Sequence, residues 1–156
     1  ASRNIVVSSN VFDPYRSDFR SNRYSKMRGG ISIGRGRNII LSNNLINEAT
    51  CGSPEAGGAI TVTESREITI AGCQIVNARF RGIHVDRGTN GRGTDCLVNE
   101  DATSARMLAG VELTGPCPGT VVRGNGVGRG RNGDIVNRAT GAIVEANTPV
   151  VSAPAP

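Results

Sequence analysis

The amino-acid sequence predicts an all-β chain wound as a solenoid of stacked coils, and three observations carry that prediction. Short runs with every second residue apolar recur along the chain, degraded copies of one motif return with a period in the twenties, and turn-forming residues are spread evenly, with 21 Gly and 14 Asn among 156 residues. The clearest copy runs from Gly30 to Ile46. In it Ile31 and Ile33, then Ile39 and Leu41, form two half-buried strands bounded by Gly or Asn.

Copies of the first strand are Gly30-Ile31-Ser32-Ile33, Ala59-Ile60-Thr61-Val62, Gly82-Ile83-His84-Val85, Gly110-Val111-Glu112-Leu113 and Gly133-Asp134-Ile135-Val136. Their central apolar residues Ile31, Ile60, Ile83, Val111 and Ile135 step by 29, 23, 28 and 24 positions. Copies of the second strand start at Asn4, Asn38 and Glu67, with weaker ones from Gly119 and Gly141. A single coil cannot bury its own inward Ile and Val, whereas stacking gives each strand a parallel partner on both sides at about 4.8 Å and aligns the aliphatic residues into ladders. About six coils are expected over residues 1–147, with 148–156 a Pro-rich extended tail. In four of the five second-strand copies the seventh position is Asn (Asn10, Asn44, Asn125 and Asn147), and Cys73 is the exception. This Asn is expected at a left-handed turn, its amide bonding the same turn in the next coil.

Composition bounds the rest. With 3% aromatic residues the core must be narrow, and the charge of +5 comes almost wholly from arginine, since Lys26 is the only lysine. Arginine suits planar carboxylate and phosphate groups, so the charge reads either as a solubilising surface or as a site for a polyanion. Cys51, Cys73, Cys96 and Cys117 form no CxxC pair and His84 is the only histidine, so zinc is not expected, although scattered carboxylates leave room for calcium. The cysteine intervals of 22, 23 and 21 are each close to one repeat; pairs on adjacent turns and small core residues are both open readings. No apolar run is long enough to cross a bilayer. Because the sequence starts inside a repeat, it is expected to be the C-terminal part of a longer β-helix, with upstream coils or another chain covering its N-terminal end.

The Asn-Ile-x-Ile-x-x-Asn-x-Ile repeat with its Gly-Ile-x-Ile partner strand, over roughly residues 3–147, resembles the right-handed parallel β-helix of the pectate-lyase-like superfamily. That resemblance implies a secreted or cell-surface protein and an acidic polysaccharide as partner; the superfamily includes lyases, epimerases, glycoside hydrolases and plain adhesive rods. The catalytic motifs of pectate lyases and polygalacturonases do not stand out.

Two loops depart from the repeat. The first, Phe12 to Arg28, holds four of the five aromatic residues. Tyr15 and Phe19 fall on one side of a helical turn and Arg16, Arg20 and Arg23 on another, either sealing the core or forming a stacking and cationic platform for a sugar chain. The second, Asn47 to Gly58, contains Cys51. A third departure, the Gly-rich run Arg87 to Gly93, reads as a flexible turn or an anion cradle.

Strand alternation places Ser32, Thr61, His84 and Glu112 in one outward file, with Gly34, Thr63, Asp86 and Thr114 two positions on. For a lyase or epimerase on a uronic-acid chain, His84 would be the base and Arg87, Arg35 or Arg37 the cation neutralising the carboxylate. For a hydrolase, Asp86 and Glu112 would be the carboxyl pair, at the roughly 6.5 to 9.5 Å used for inversion. The plain reading of the same residues is a polar outer face, as any soluble sheet presents to water. The function expected is thus an extracellular β-helix that binds an acidic polysaccharide and cleaves or epimerises it. Catalysis is assigned to His84, Asp86, Glu112 and Arg87, and binding to Arg35, Arg37, Tyr15, Arg16, Phe19, Arg20, Ser32 and Thr61. The alternative is a non-catalytic structural or adhesive rod. Nucleic acid ranks behind both, because the basic residues are spread over several coils and the aromatics sit in one loop.

Overall fold

In a computed structural model, which describes residues 3–12, 30–100, 106–128 and 130–150, the chain forms seventeen short strands and, among the described residues, no helix. The first coil holds β1 (Arg3–Ser8) and β2 (Val11–Phe12). The second holds β3 (Ile31–Gly34), β4 (Arg37–Ser42) and β5 (Leu45–Asn47), and the third β6 (Ile60–Thr63), β7 (Arg66–Ala71) and β8 (Gln74–Val76). The fourth is β9 (Arg81–Asp86), β10 (Arg92–Thr94) and β11 (Leu97–Asn99); the fifth is β12 (Ala109–Thr114), β13 (Val121–Arg123) and β14 (Gly126–Val127). The last is β15 (Ile135–Asn137), β16 (Ile143–Glu145) and β17 (Thr148–Pro149). Equivalent strands stack in parallel into three sheets: A (β1-β4-β7-β10-β13-β16), B (β2-β5-β8-β11-β14-β17) and C (β3-β6-β9-β12-β15). This is the parallel β-helix the repeat implies, and its final coil runs on through Thr148–Pro149, which pairs with Gly126–Val127.

The register follows the sequence. Ile31, Ile60, Ile83, Val111 and Ile135 pair in succession along sheet C, as their uneven spacing requires. Ile33, Val62, Val85 and Leu113 stack two positions on, and Phe12, Ile46, Ile75, Val98 and Val127 make the ladder of sheet B. Where an aliphatic residue stacks on both sides, as at Ile60 and Ile75, full burial of the side chain contributes about 1.5–3 kcal/mol.

The Asn file, interrupted by cysteine in the two middle coils, is not itself left-handed. The residues with positive φ are those just before it: Ser9 (56°), Asn43 (54°), Gly72 (61°), Asp95 (54°), Gly124 (69°) and Ala146 (51°). The Asn side chains instead bridge coils. Asn44 Oδ1 accepts the Asn10 N–H (3.2 Å) while its Nδ2 donates to Val7 O (2.9 Å), and Asn147 does the same for Asn125 N–H (3.1 Å) and Val122 O (3.0 Å). The amide satisfies backbone groups that the tight turn withdraws from the ladder. A separate left-handed file, Asn4, Asn38, Glu67 and Asn90, lies at the start of the first four sheet A strands, and there Asn38 Nδ2 does bond Asn4 Oδ1 (2.9 Å).

The run Arg87 to Gly93 is not an insertion: its first part is the turn between sheets C and A, and its last residues begin a strand. Thr89 bridges to Arg66, and Arg92–Thr94 is the fourth strand of sheet A, with Gly93 opposite Ile70 and Val122. Small residues at Gly91 and Gly93 replace the Ile of other coils, and a cavity of about 30 Å³ lies beside them against Ile68, Ile70 and Val122. A Cβ on Gly93 would meet only Val122 Cγ2, at 3.7 Å. On Gly82 it would meet Val98 and lie 2.6 Å from the Gly110 carbonyl oxygen. Gly93→Ala is therefore expected to raise the unfolding free energy by about 0.5–1 kcal/mol, by restricting the unfolded chain, and Gly82→Ala to lower it; urea unfolding of the two variants checks both signs.

Candidate functional site

The chain enters sheet C from the B–C corner, where the loop from Asn47 to Gly58 lies. Ser32, Thr61, His84 and Glu112 do form one file, and Gly34, Thr63, Asp86 and Thr114 the next, each paired across adjacent coils. Tyr15, Arg16, Phe19 and Arg20 lie outside the described residues. The file is not an open face: Ser32 is exposed and Thr61 half-buried, but His84 and Glu112 are each only 4% exposed. The second loop covers them, its segment 52–58 folding as a strap over β9 and β12.

Two side chains hold the strap. Arg81, itself 4% exposed, pairs through Nε with Glu112. Its Nη1 donates to Ser53 O (3.0 Å) and Gly57 O (3.4 Å), and its Nη2 to Pro54 O (2.9 Å) and Glu55 O (3.4 Å). All five guanidinium donors are thus satisfied. Arg138 approaches the other Glu112 oxygen at 3.7 Å. His84 supplies the second point: its Nδ1 accepts the Gly57 N–H at 2.9 Å. The neutral ring then carries its proton on Nε2, which donates to Thr114 Oγ1 (3.1 Å), and the Thr114 hydroxyl donates to Asp86 Oδ1 (3.1 Å). Asp86 Oδ2 ends the chain on Arg87 at 2.8 Å. Burial, seconded by the charge of Arg81, lowers the His84 pKa against the opposing pull of Glu112 and Asp86, so the ring is neutral near pH 7.

The structure therefore brings His84, Asp86, Glu112 and Arg87 together, with every polar atom of the imidazole already bonded. Arg81 was not among the residues singled out from sequence. Strict alternation assigns it to the inward side with Ile83 and Val85, and nothing else marks it among seventeen arginines.

A second feature lies at the corner between sheets C and A. Arg3, Arg37 and Arg66 are paired positions on successive coils. With Arg35 and Arg87 they line an open groove of about 400 Å³. Glu64 crosses it, bonding Arg35 Nε at 3.0 Å and Arg87 at 3.1 Å, and Glu67 takes Arg37 Nε at 2.9 Å. The Arg35 hydrogen bond, then the charges of Arg35 and Arg87, hold the Glu64 carboxyl below its ordinary range. Arg3 and Arg66 have no acidic partner among the described residues. A smaller cleft of about 360 Å³, bounded by Ser32, Thr61, Cys51 and Gly57, lies beside the strap.

Among the described residues no three His, Cys, Asp or Glu side chains converge as a metal site requires, and no helix is long and apolar enough to cross a membrane. A family model described as a right handed beta helix region matches residues 2–148. No curated protein matches the chain.

Breaking one half of the buried pair leaves a buried charge uncompensated. Arg81→Met should lower stability by about 3–5 kcal/mol and expose the strap to proteolysis, whereas Arg81→Met with Glu112→Leu should recover much of that loss; a double-mutant cycle by urea unfolding reads both. For His84 the folded pKa lies below the unfolded value of 6.5, so the unfolded state binds the extra proton first. Stability should be full above pH 6.5 and fall as pH drops from there toward the folded pKa, and His84→Gln should remove that slope from unfolding curves recorded over the same pH range.

Proposed function

The chain belongs to the right-handed β-helix family, and from that premise we propose that it binds an acidic polysaccharide along the arginine groove at the corner of sheets C and A. The observation that carries the proposal is the file Arg3, Arg37 and Arg66. Stacking in register puts like-charged side chains on strands about 4.8 Å apart, and two of the three have no carboxylate partner among the described residues. A chain that presents carboxylates in series relieves that repulsion, and each guanidinium can take a carboxylate with two parallel hydrogen bonds. A secreted or cell-surface location goes with such a partner.

Cleavage or epimerisation at His84, Asp86 and Glu112 would need the strap to lift, since the base must offer a free lone pair and Nδ1 is taken by Gly57. The bonded state of His84 favours a non-cleaving, adhesive role over the lyase, epimerase or hydrolase readings. Polygalacturonate and alginate, compared with neutral dextran, test the proposal by titration calorimetry at low and raised salt. Binding should be selective for the acidic chains, weaken with salt, and fall roughly tenfold in Arg66→Ala, as loss of one charge-assisted contact of about 1.5 kcal/mol implies. Equal affinity of Arg66→Ala and Arg37→Ala with the parent protein, or no binding to any acidic glycan, would overturn it. Release of unsaturated or reducing ends that disappears in His84→Ala would establish the enzyme instead.

A further inference from the structure

The file that holds Asn10, Asn44, Asn125 and Asn147 has cysteine in its two middle coils. Cys73 directly precedes Gln74 and Cys96 directly precedes Leu97, and Gln74 and Leu97 are paired positions of β8 and β11, with the Leu97 N–H donating to Cys73 O at 2.9 Å. The two cysteines are therefore stacked in register on adjacent coils. Parallel neighbours at that spacing fall within the Cα separation a disulfide spans, about 4.4–6.8 Å.

What the amide does elsewhere in the file, the thiols do poorly. Toward the preceding coil Cys73 Sγ reaches Leu41 O only at 3.8 Å and Cys96 Sγ reaches Ile70 O only at 3.8 Å, their nearer partners, Ala71 O (3.7 Å) and Thr94 O (3.3 Å), being in their own coils. By contrast Asn125, one coil on, bonds the Cys96 N–H at 2.9 Å. The Cys73–Cys96 step is the one place along this file where no amide links a coil to the next. Both side chains are buried. Cys51, hydrogen-bonded to Gly58 O in the strap, and Cys117, beside Gly88 at the C–A corner, occupy other positions of the coil.

We propose that Cys73 and Cys96 are a redox pair that closes into a covalent link between the third and fourth coils. The thiol of Cys96 donates to the Cys73 sulfur, which lowers the Cys73 pKa to about 6, while Cys96 keeps its proton above the ordinary thiol value for the same reason and because of burial. Cys73 is then the attacking sulfur. With a disulfide of the glutathione class as oxidant, the Cys73 thiolate attacks one sulfur, forms a mixed disulfide and expels a glutathione thiolate, which takes up the Cys73 proton. Cys96, on losing its proton, attacks Cys73 Sγ and expels the second glutathione. Two protein thiols lose two electrons and two protons, and one glutathione disulfide becomes two glutathione thiols. Burial of both sulfurs means that the oxidant reaches them only when the coils part locally, and Cys73 leads the attack as long as Cys96 still faces it.

The test refolds the reduced, denatured protein in mixed reduced and oxidised glutathione, blocks remaining thiols with N-ethylmaleimide under denaturing conditions, and maps the peptides by mass spectrometry. The expected result is a single linked peptide joining Cys73 to Cys96, alkylation confined to Cys51 and Cys117, and a melting temperature that drops on treatment with dithiothreitol. The link should survive in the Cys51→Ser, Cys117→Ser double variant and vanish in Cys73→Ser. Alkylation of all four cysteines after oxidative refolding, or a linked peptide containing Cys51 or Cys117, would overturn the assignment, and the map of the parent chain decides it even if Cys73→Ser does not fold.

Discussion

Every other feature of this protein depends on the in-register stacking of one coil on the next. Backbone hydrogen bonds run between coils, so a coil has neither a sheet nor a core of its own, and each inward position is answered by the equivalent position above and below. Ile31 packs on Ile60, and Ile60 is fully buried between Ile31 and Ile83, although more than twenty residues separate each pair. The same rule operates on the surface, where it is less favourable. If Ile39 stacks on Ile68, Arg37 must stack on Arg66. At such separations like charges in water repel by about 1 kcal/mol, and the coil offsets part of this with pairs such as Arg37 to Glu67. The arginine groove is thus a by-product of register before it is a binding site, and the unpartnered members of the file are what make it available to an anion.

Stacking also explains which parts of the fold were legible in the sequence. The sheet C register could be read because each copy keeps an apolar pair around one polar residue, and the Asn file because an amide bridging two coils tolerates few replacements. The fourth sheet A strand was not read, because Gly91 and Gly93 stand where the pattern demands Ile and turn Arg87 to Gly93 into an apparent loop. The turn was misplaced by one residue for a different reason. Asn is common both in left-handed conformations and as a hydrogen-bonding bridge, and here the bridge is at Asn44 while Asn43 takes the positive φ. Ser9 and Ala146 hold that conformation in other coils with no side-chain signature at all.

The candidate site was half legible. Alternation found the file of His84 and Glu112, since side-chain parity is a local property of a strand. It could not find the cover, because whether an outward residue meets water depends on the path of a loop between sheets. Once the strap is in place, the polar file behaves as a second interior layer, held by hydrogen bonds where the first is held by aliphatic contact. His84 changes with it, from a surface base to a neutral imidazole bonded at both nitrogens.

Two kinds of arginine result, and the difference bears on function more than their number does. Arg81 has all five donors occupied, four of its partners being carbonyls of the strap and the fifth the Glu112 carboxylate. A ligand could reach it only by displacing partners already in place in a site shielded from water, where an unpaired charge is most costly. Arg66 lies in an open groove, and water is all a ligand need displace from it. In a protein whose positive charge is almost wholly arginine, saturation of donors therefore separates the residues that hold the fold from those left to meet a partner.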